Sequence, residues 1–269
     1  MLSVEQLSSG YDRGDVLHEI SFTLQPGERL YITGPNGCGK TTLLKCIAGL
    51  QPHTGRVLLE GRDVRHFRRR ELAQRLGILT QLTSVYFPYT VFDTVALGRY
   101  AHQAGLFSSL SAAGRERVED CIERVGLADY RDRRISELSG GQLQRVYLAR
   151  LFAQDPDLVL LDEPTNHLDL KYQIELLEYV TDWSQKAGKT IIGVLHDLNL
   201  VHTFAERVIL LDEGHIWAQG TSAEALSDEA LRHCYGLDVR GWMQSALARW
   251  TEEDAAAKSG SGISEGERI

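Results

Sequence analysis

Residues 34–41 read Gly34-Pro35-Asn36-Gly37-Cys38-Gly39-Lys40-Thr41, with Thr42 next in the chain. These are the residue types that hold a phosphate chain. Glycines let the backbone turn so tightly that several N–H groups point inward, and a helix starting there adds the partial positive charge of its N-terminus. Lys40 offers a cation to the outer phosphates, and the Thr41 hydroxyl is placed to ligate the Mg²⁺ that a triphosphate needs. A second group of chemistry-bearing residues, Asp162-Glu163, follows the apolar run Leu158 to Leu161 directly. Carboxylates at the end of a buried strand are costly unless they have a task. Asp162 can hold Mg²⁺ through water, and Glu163 can polarise the water that attacks a terminal phosphate.

Such residues must be brought together by the elements that carry them. Short β-branched runs predict central strands at Arg29 to Thr33, Leu76 to Thr80, Leu158 to Leu161, Thr190 to Leu195 and Arg207 to Leu211. Helix-period segments alternate with them, the pattern of an α/β domain around a mostly parallel sheet. Ligands of open α/β sheets bind outside the carboxyl ends of the strands. Gln81 follows Thr80 and His196 follows Leu195, so the two groups above, Gln81 and His196 converge on one edge of the sheet. Leu2 to Ser8 and Ile20 to Leu24 alternate apolar and polar residues, predicting an antiparallel edge and a mixed sheet.

Strand signals stop between about Val85 and Arg150, where Val91 to Ala101 and Gly114 to Val125 predict a helical subdomain. Within it, Leu138-Ser139-Gly140-Gly141-Gln142 precedes a helix with Leu143, Val146, Tyr147 and Leu151 at helical spacing. Ser139 could simply cap that helix. A pair of glycines is better explained by a backbone that must come close to a phosphate, a second anion-binding helix start. Short helices are predicted at Ser222 to Leu226 and Ser227 to Tyr235, and a tail, 255–269, is too polar and glycine-rich to pack. The resulting division is a domain over 1–240, with its helical subdomain at about 85–150, and a helix remnant with a mobile tail over 241–269.

Composition narrows the function classes. The chain has 269 residues, 43% hydrophobic and 25% charged, enough for a buried core. No run approaches the roughly 18 apolar residues of a membrane-spanning helix, and the first residues carry no signal-peptide pattern. Cys38, Cys46, Cys121 and Cys234 form no CxxC pair, which argues against a zinc site or disulfide framework. A formal net charge of −8 gives no general attraction for nucleic acid.

Taken together, these motifs resemble the ATP-binding cassette (ABC) ATPases from about Leu2 to Val239. GPNGCGKT is similar to the family's Walker A and LVLLDEP to its Walker B. Gln81 stands at its Q-loop, LSGGQ (138–142) at its signature, Asn166-His167-Leu168-Asp169 at its D-loop and His196 at its switch histidine. Tyr11 stands where the family stacks an aromatic ring on adenine. The resemblance implies a P-loop NTPase core, with ATP and Mg²⁺ as ligands. Thr41, Gln81 and Asp162 would hold the metal, and Glu163, Gln81 and His196 would act in catalysis. It also implies a head-to-tail dimer in which Ser139, Gly140, Gly141, Gln142 and Asp169 of one copy close over nucleotide in the other's cradle. Segments 90–103, 165–170 and 194–200 look like importers of iron–siderophore complexes, haem and cobalamin, with molybdate importers close by. The implied partners are permease subunits at the cytoplasmic face of the membrane and, indirectly, an extracytoplasmic binding protein.

Alternatives from other classes are an exporter subunit, a non-transport cassette protein and a nucleotide-binding regulator without turnover. Single-cassette length and the lack of sustained heptads weigh against the non-transport class. Two departures stand out: Leu143 stands where an arginine is common after LSGGQ, and Cys38 is the other. Cys38 occupies a position where the family mostly has serine, and a thiol at a helix N-terminus with a lowered pKa would be open to oxidation. The arginine-rich stretch 62–75 could face lipid or a partner, although a solvated face is the better reading.

Overall fold

The computed structural model describes residues 1–11, 14–80, 88–103, 109–166 and 168–260, with side chains described to residue 250. The chain divides into two compact units, Met1–Ala225 and Leu226–Ile269.

In the first unit the elements run β1 (Leu2–Tyr11), β2 (Gly14–Leu24), β3 (Arg29–Thr33), α1 (Lys40–Ile47), β4 (Thr54–Leu59) and β5 (Arg62–Asp63). Next come α2 (Arg69–Arg75), β6 (Leu76–Leu79), α3 (Val91–Ala96), α4 (Ala112–Arg124), α5 (Gly140–Gln154) and β7 (Leu158–Asp162). The unit closes with α6 (Leu170–Ala187), β8 (Thr190–Val194), α7 (Leu198–Phe204), β9 (Arg207–Asp212), β10 (His215–Gly220) and α8 (Ser222–Ala225). The second unit holds α9 (Asp228–Tyr235) and α10 (Val239–Gly260). Helix α10 takes in 255–260, part of the tail that composition marked as unpacked; 261–269 lie outside the described residues.

Among the described residues, six strands form the main sheet in the order β10-β9-β3-β8-β7-β6. All its neighbouring pairs are parallel except β10 with β9. Every residue of β7 and β8 is buried, so both read as continuous apolar runs, as strands covered on both faces must. The opening strands are antiparallel, as their alternation predicts, but they do not edge this sheet. They belong to a separate four-stranded sheet, β2-β1-β4-β5, and the antiparallel edge of the main sheet is β10. Alternation reveals that one face of a strand is buried and leaves open what covers it. Between the sheets lies a core to which Leu7, Leu17 and Val57 contribute from one sheet, Ile32, Leu160 and Ile209 from the other, and Leu43, Leu44 and Ile47 from α1.

Register decides what meets at the carboxyl edge. Ile32 and Asp162 both pair with Val194, and Leu79 pairs with Leu161. The residues leaving β3, β8, β7 and β6 therefore emerge side by side. The stretch expected to be helical contains α3, α4 and the greater part of α5. Thr90 caps α3 through a capping box with Asp93, and Ser111 caps α4.

Candidate functional site

The loop between β3 and α1 is built from left-handed glycines. Gly34 has φ 146° and Gly39 has φ 104°. A Cβ on Gly34 would stand 2.0 Å from the Leu211 carbonyl oxygen, so both the conformation and the close approach demand glycine. Gly39 is the N-cap residue of α1 and provides no side-chain cap. The first-turn N–H groups, which have no intrahelical partner, thus carry no competing side-chain acceptor and are open to an anion.

Lys40 is 5% exposed, and its ammonium donates to the carbonyls of Gly34 (2.9 Å) and Pro35 (2.8 Å), which supply the polar partners a buried cation requires. Thr42 is buried in the same turn. Val16, Asn36, Gly37, Gly39, Lys40, Thr41, Thr42 and Glu163 line a cleft of about 160 Å³. Lysine, backbone N–H groups and a hydroxyl on one small cleft make a site for phosphate oxygens.

Across the cleft mouth, the Thr41 hydroxyl donates to Asp162 Oδ1 at 2.8 Å. Burial raises the Asp162 carboxyl above its ordinary range, the hydrogen bond from Thr41 opposes that shift, and the charge of Glu163 adds to it. A hydroxyl and a buried carboxylate in contact are hard oxygen donors, and a carboxylate held against desolvation gains from a cation beside it. They fit Mg²⁺, which binds through one or two protein oxygens and takes its other positions from phosphate and water.

Glu163 has φ 51°, a left-handed conformation that costs a non-glycine residue about 1 kcal/mol or more. His196, the first residue past Leu195, brings its Nε2 to 2.6 Å from Glu163 Oε1. Residues from β7 and β8 thus meet at the mouth of the glycine loop. Gln81 and His167 lie outside the described residues. Tyr11 ends β1 and is 51% exposed.

Ser139 and Gly140 are exposed at the start of α5. Ser139 and Gln142 form a reciprocal capping box: Gln142 N–H donates to Ser139 Oγ (3.3 Å) and Ser139 N–H to Gln142 Oε1 (3.0 Å). A Cβ on Gly140 would meet nothing within 4 Å, whereas one on Gly141 would touch the Tyr172 ring at 3.1 Å. Packing within the chain therefore accounts for Gly141 and leaves Gly140 without an internal reason. Asp169 caps α6 by accepting from Tyr172 N–H at 3.1 Å.

Cys38 departs from expectation. Its thiol is 5% exposed, and burial pushes its pKa up, an effect that Lys40 offsets only in part. The lowered pKa expected of a helix N-terminus is overturned by desolvation. The arginine stretch is largely tied within the chain. Arg62 pairs with Glu71 (2.7 Å) and Arg65 with Asp63 (2.7 Å), Arg75 pairs with Glu60, and Arg62 lies over the Phe67 ring.

Two residues to which sequence assigned no role at Glu163 bear on the site: Gln144, not singled out at all, and Asn166, named only as part of the D-loop resemblance. Gln144 is buried and donates to the Pro164 carbonyl at 2.8 Å, bracing the turn after Glu163. Its signal was a polar residue two positions before Val146, on the inward side of α5. Asn166 donates through its side-chain amide to Glu163 Oε2. Nothing in residue spacing marks that contact.

A glycine loop between strand and helix, a buried lysine and two acids at the end of β7, one strand removed from β3 in the sheet, define a P-loop nucleotide-binding protein. The chain matches the ABC transporter family over residues 17–166, more than half its length, and belongs to it. It is 39% identical over 234 residues to the ferric enterobactin transport ATP-binding protein FepC of Escherichia coli, covering 87% of this chain and 86% of that one. It is 38% identical to the uncharacterized ABC transporter ATP-binding protein YvrA of Bacillus subtilis over 88% of its own length, but spans only 54% of that protein. Among solved structures, a putative metal-chelate type ABC transporter in an inward-facing conformation aligns with TM-score 0.78 at 30% identity, covering 88% of this chain and 89% of that one. The dimeric ATP-binding cassette MJ0796, bound to ADP and Pi, aligns with TM-score 0.72 at 27% identity over 82% of this chain and 99% of its own. As a member of this family the chain is an ATP-binding ATPase of a transport system. No helix among the described residues is long and apolar enough to cross a membrane.

Proposed function

We propose that the chain powers import of a metal chelate, in the class of iron–siderophore, haem or cobalamin, through separate permease subunits at the cytoplasmic face of the membrane. The names of its relatives support the cargo class, and the site supports the engine. The observation that carries the mechanism is the juxtaposition of Thr41 with Asp162 (2.8 Å) and of His196 with Glu163 (2.6 Å) at the mouth of the glycine loop.

In this reading the 34–42 loop binds the triphosphate through backbone N–H groups and Lys40, and Thr41 with Asp162 and Gln81 holds Mg²⁺. The metal, when bound, neutralises phosphate charge. Glu163 takes the proton of the attacking water, and His196 orients that carboxylate and faces the terminal phosphate. Tyr11 stacks on the base. Ser139 to Gln142 and Asp169 of a second copy complete the site, in keeping with the open space over Gly140.

Glu163→Gln is expected to abolish ATP hydrolysis while ATP binding and ATP-dependent dimerisation persist. Turnover at the parental rate would remove Glu163 from the mechanism. Purification of the tagged chain from membranes tests the partners: a polytopic permease and a binding protein should accompany it.

A further inference from the structure

Glu163 is gripped at both carboxylate oxygens. His196 Nε2 lies 2.6 Å from Oε1, and the Asn166 side-chain amide donates to Oε2. A carboxylate can only accept, so the amide nitrogen must be the atom that faces it. We propose that Asn166 is a positioning residue for ATP hydrolysis, holding the plane of the Glu163 carboxylate so that its free lone pairs address the attacking water.

Three features make this a built arrangement. The terminal torsion of a glutamate is broad and roughly two-fold, and one contact leaves the plane of the group free to turn. Two donors on different oxygens fix it. The loop that carries Asn166 is itself strapped down. Gln144 donates to Pro164 O (2.8 Å), and Gln173 donates to both Thr165 O (3.3 Å) and Leu168 O (3.0 Å). Asn166 N–H also donates to Glu163 O at 3.2 Å, closing the turn in which Glu163 holds its left-handed φ. Backbone and side chain of Asn166 thus serve one residue, and the strain at Glu163 is spent on aiming its carboxylate. The histidine contributes from the loop after β8, so the two grips come from independent parts of the fold.

The inference rests on the proposed role of Glu163 as proton acceptor. Asn166→Asp is the decisive variant, because it keeps shape and volume and replaces the donor by an acceptor. Asn166→Ala removes the contact without repulsion. In the full-length protein kcat should fall about 10-fold for the alanine variant and further for the aspartate variant, the scale on which misplacing a reacting group acts. KM for ATP should stay within about twofold and Tm nearly unchanged, since neither substitution touches the phosphate cradle. Parental kcat in Asn166→Asp would overturn the proposal, as would losses in kcat, ATP binding and Tm that run together. Glu163→Gln, assayed in parallel, separates the two ideas. If that variant is inactive while Asn166→Asp is fully active, only the role of Asn166 fails; if it hydrolyses ATP normally, the role of Glu163 fails with it.

Discussion

Two helices of this chain begin at glycine-bearing motifs, and they begin differently. At α1 the glycines are left-handed, no side chain caps the first turn, and Lys40 is buried among carbonyls of its own loop. At α5 a capping box ties Ser139 to Gln142, and Ser139 and Gly140 are exposed. The first start is finished by groups of its own chain: Asp162 reaches Thr41, and Glu163 lines the same cleft. The second is finished as a helix and faces outward as a surface. A phosphate-binding cradle needs its cations and acids pre-placed, because desolvating them at each turnover would be costly. A surface that closes on a ligand from outside needs only a rigid backbone with nothing in the way. The contrast is the one expected if, as proposed, each site is completed by a second copy.

The sharpest way to break the comparison is at Gly34. Gly34→Ala meets the Leu211 carbonyl at 2.0 Å and takes on an unfavourable φ, so loss of ATP binding with a stability loss of roughly 3 kcal/mol or more is expected in calorimetry and thermal melts. Gly140→Arg should do the opposite. Its Cβ has open space, so Tm and ATP binding by the monomer should persist while hydrolysis drops about 100-fold or more as the facing copy is blocked. Parental hydrolysis in that variant would show that α5 does not close on a second copy's nucleotide.

Lys40→Ala would remove the charged contact proposed to the triphosphate and should weaken ATP binding about 10- to 100-fold, measured by titration calorimetry. The smallest effect belongs to Cys38. Its raised pKa keeps the thiol neutral at pH 7, with thiolate forming only as pH climbs past that raised value. Alkylation by iodoacetamide should therefore be slow at neutral pH and accelerate with alkalinity, and Cys38→Ser should keep ATPase activity within about twofold, because the loop works through backbone N–H groups.

The most local features were legible in the residues alone. The glycine loop could be recognised because its conformation is written into glycine itself, and Gly34 and Gly39 take up the backbone that only glycine accepts readily. Strands β3, β7, β8 and β9 were found within a residue at either end, since a strand buried on both faces is a continuous apolar run. Strands β4, β5 and β10 escaped, being short, half-exposed or polar. Asp162 and Glu163 stood out because acids at the end of such a run demand an explanation.

Sequence by itself determined the parallel core, the cradle and which strand ends would share an edge, all of them properties of short stretches. Tertiary structure alone decided that β1 pairs with β2 and β4 in a sheet of their own, that burial outweighs the helix N-terminus at Cys38, and that Gln144 and Asn166 brace the segment around Glu163. Each of these depends on what a residue is packed against, and packing partners distant in the chain leave no periodicity to read.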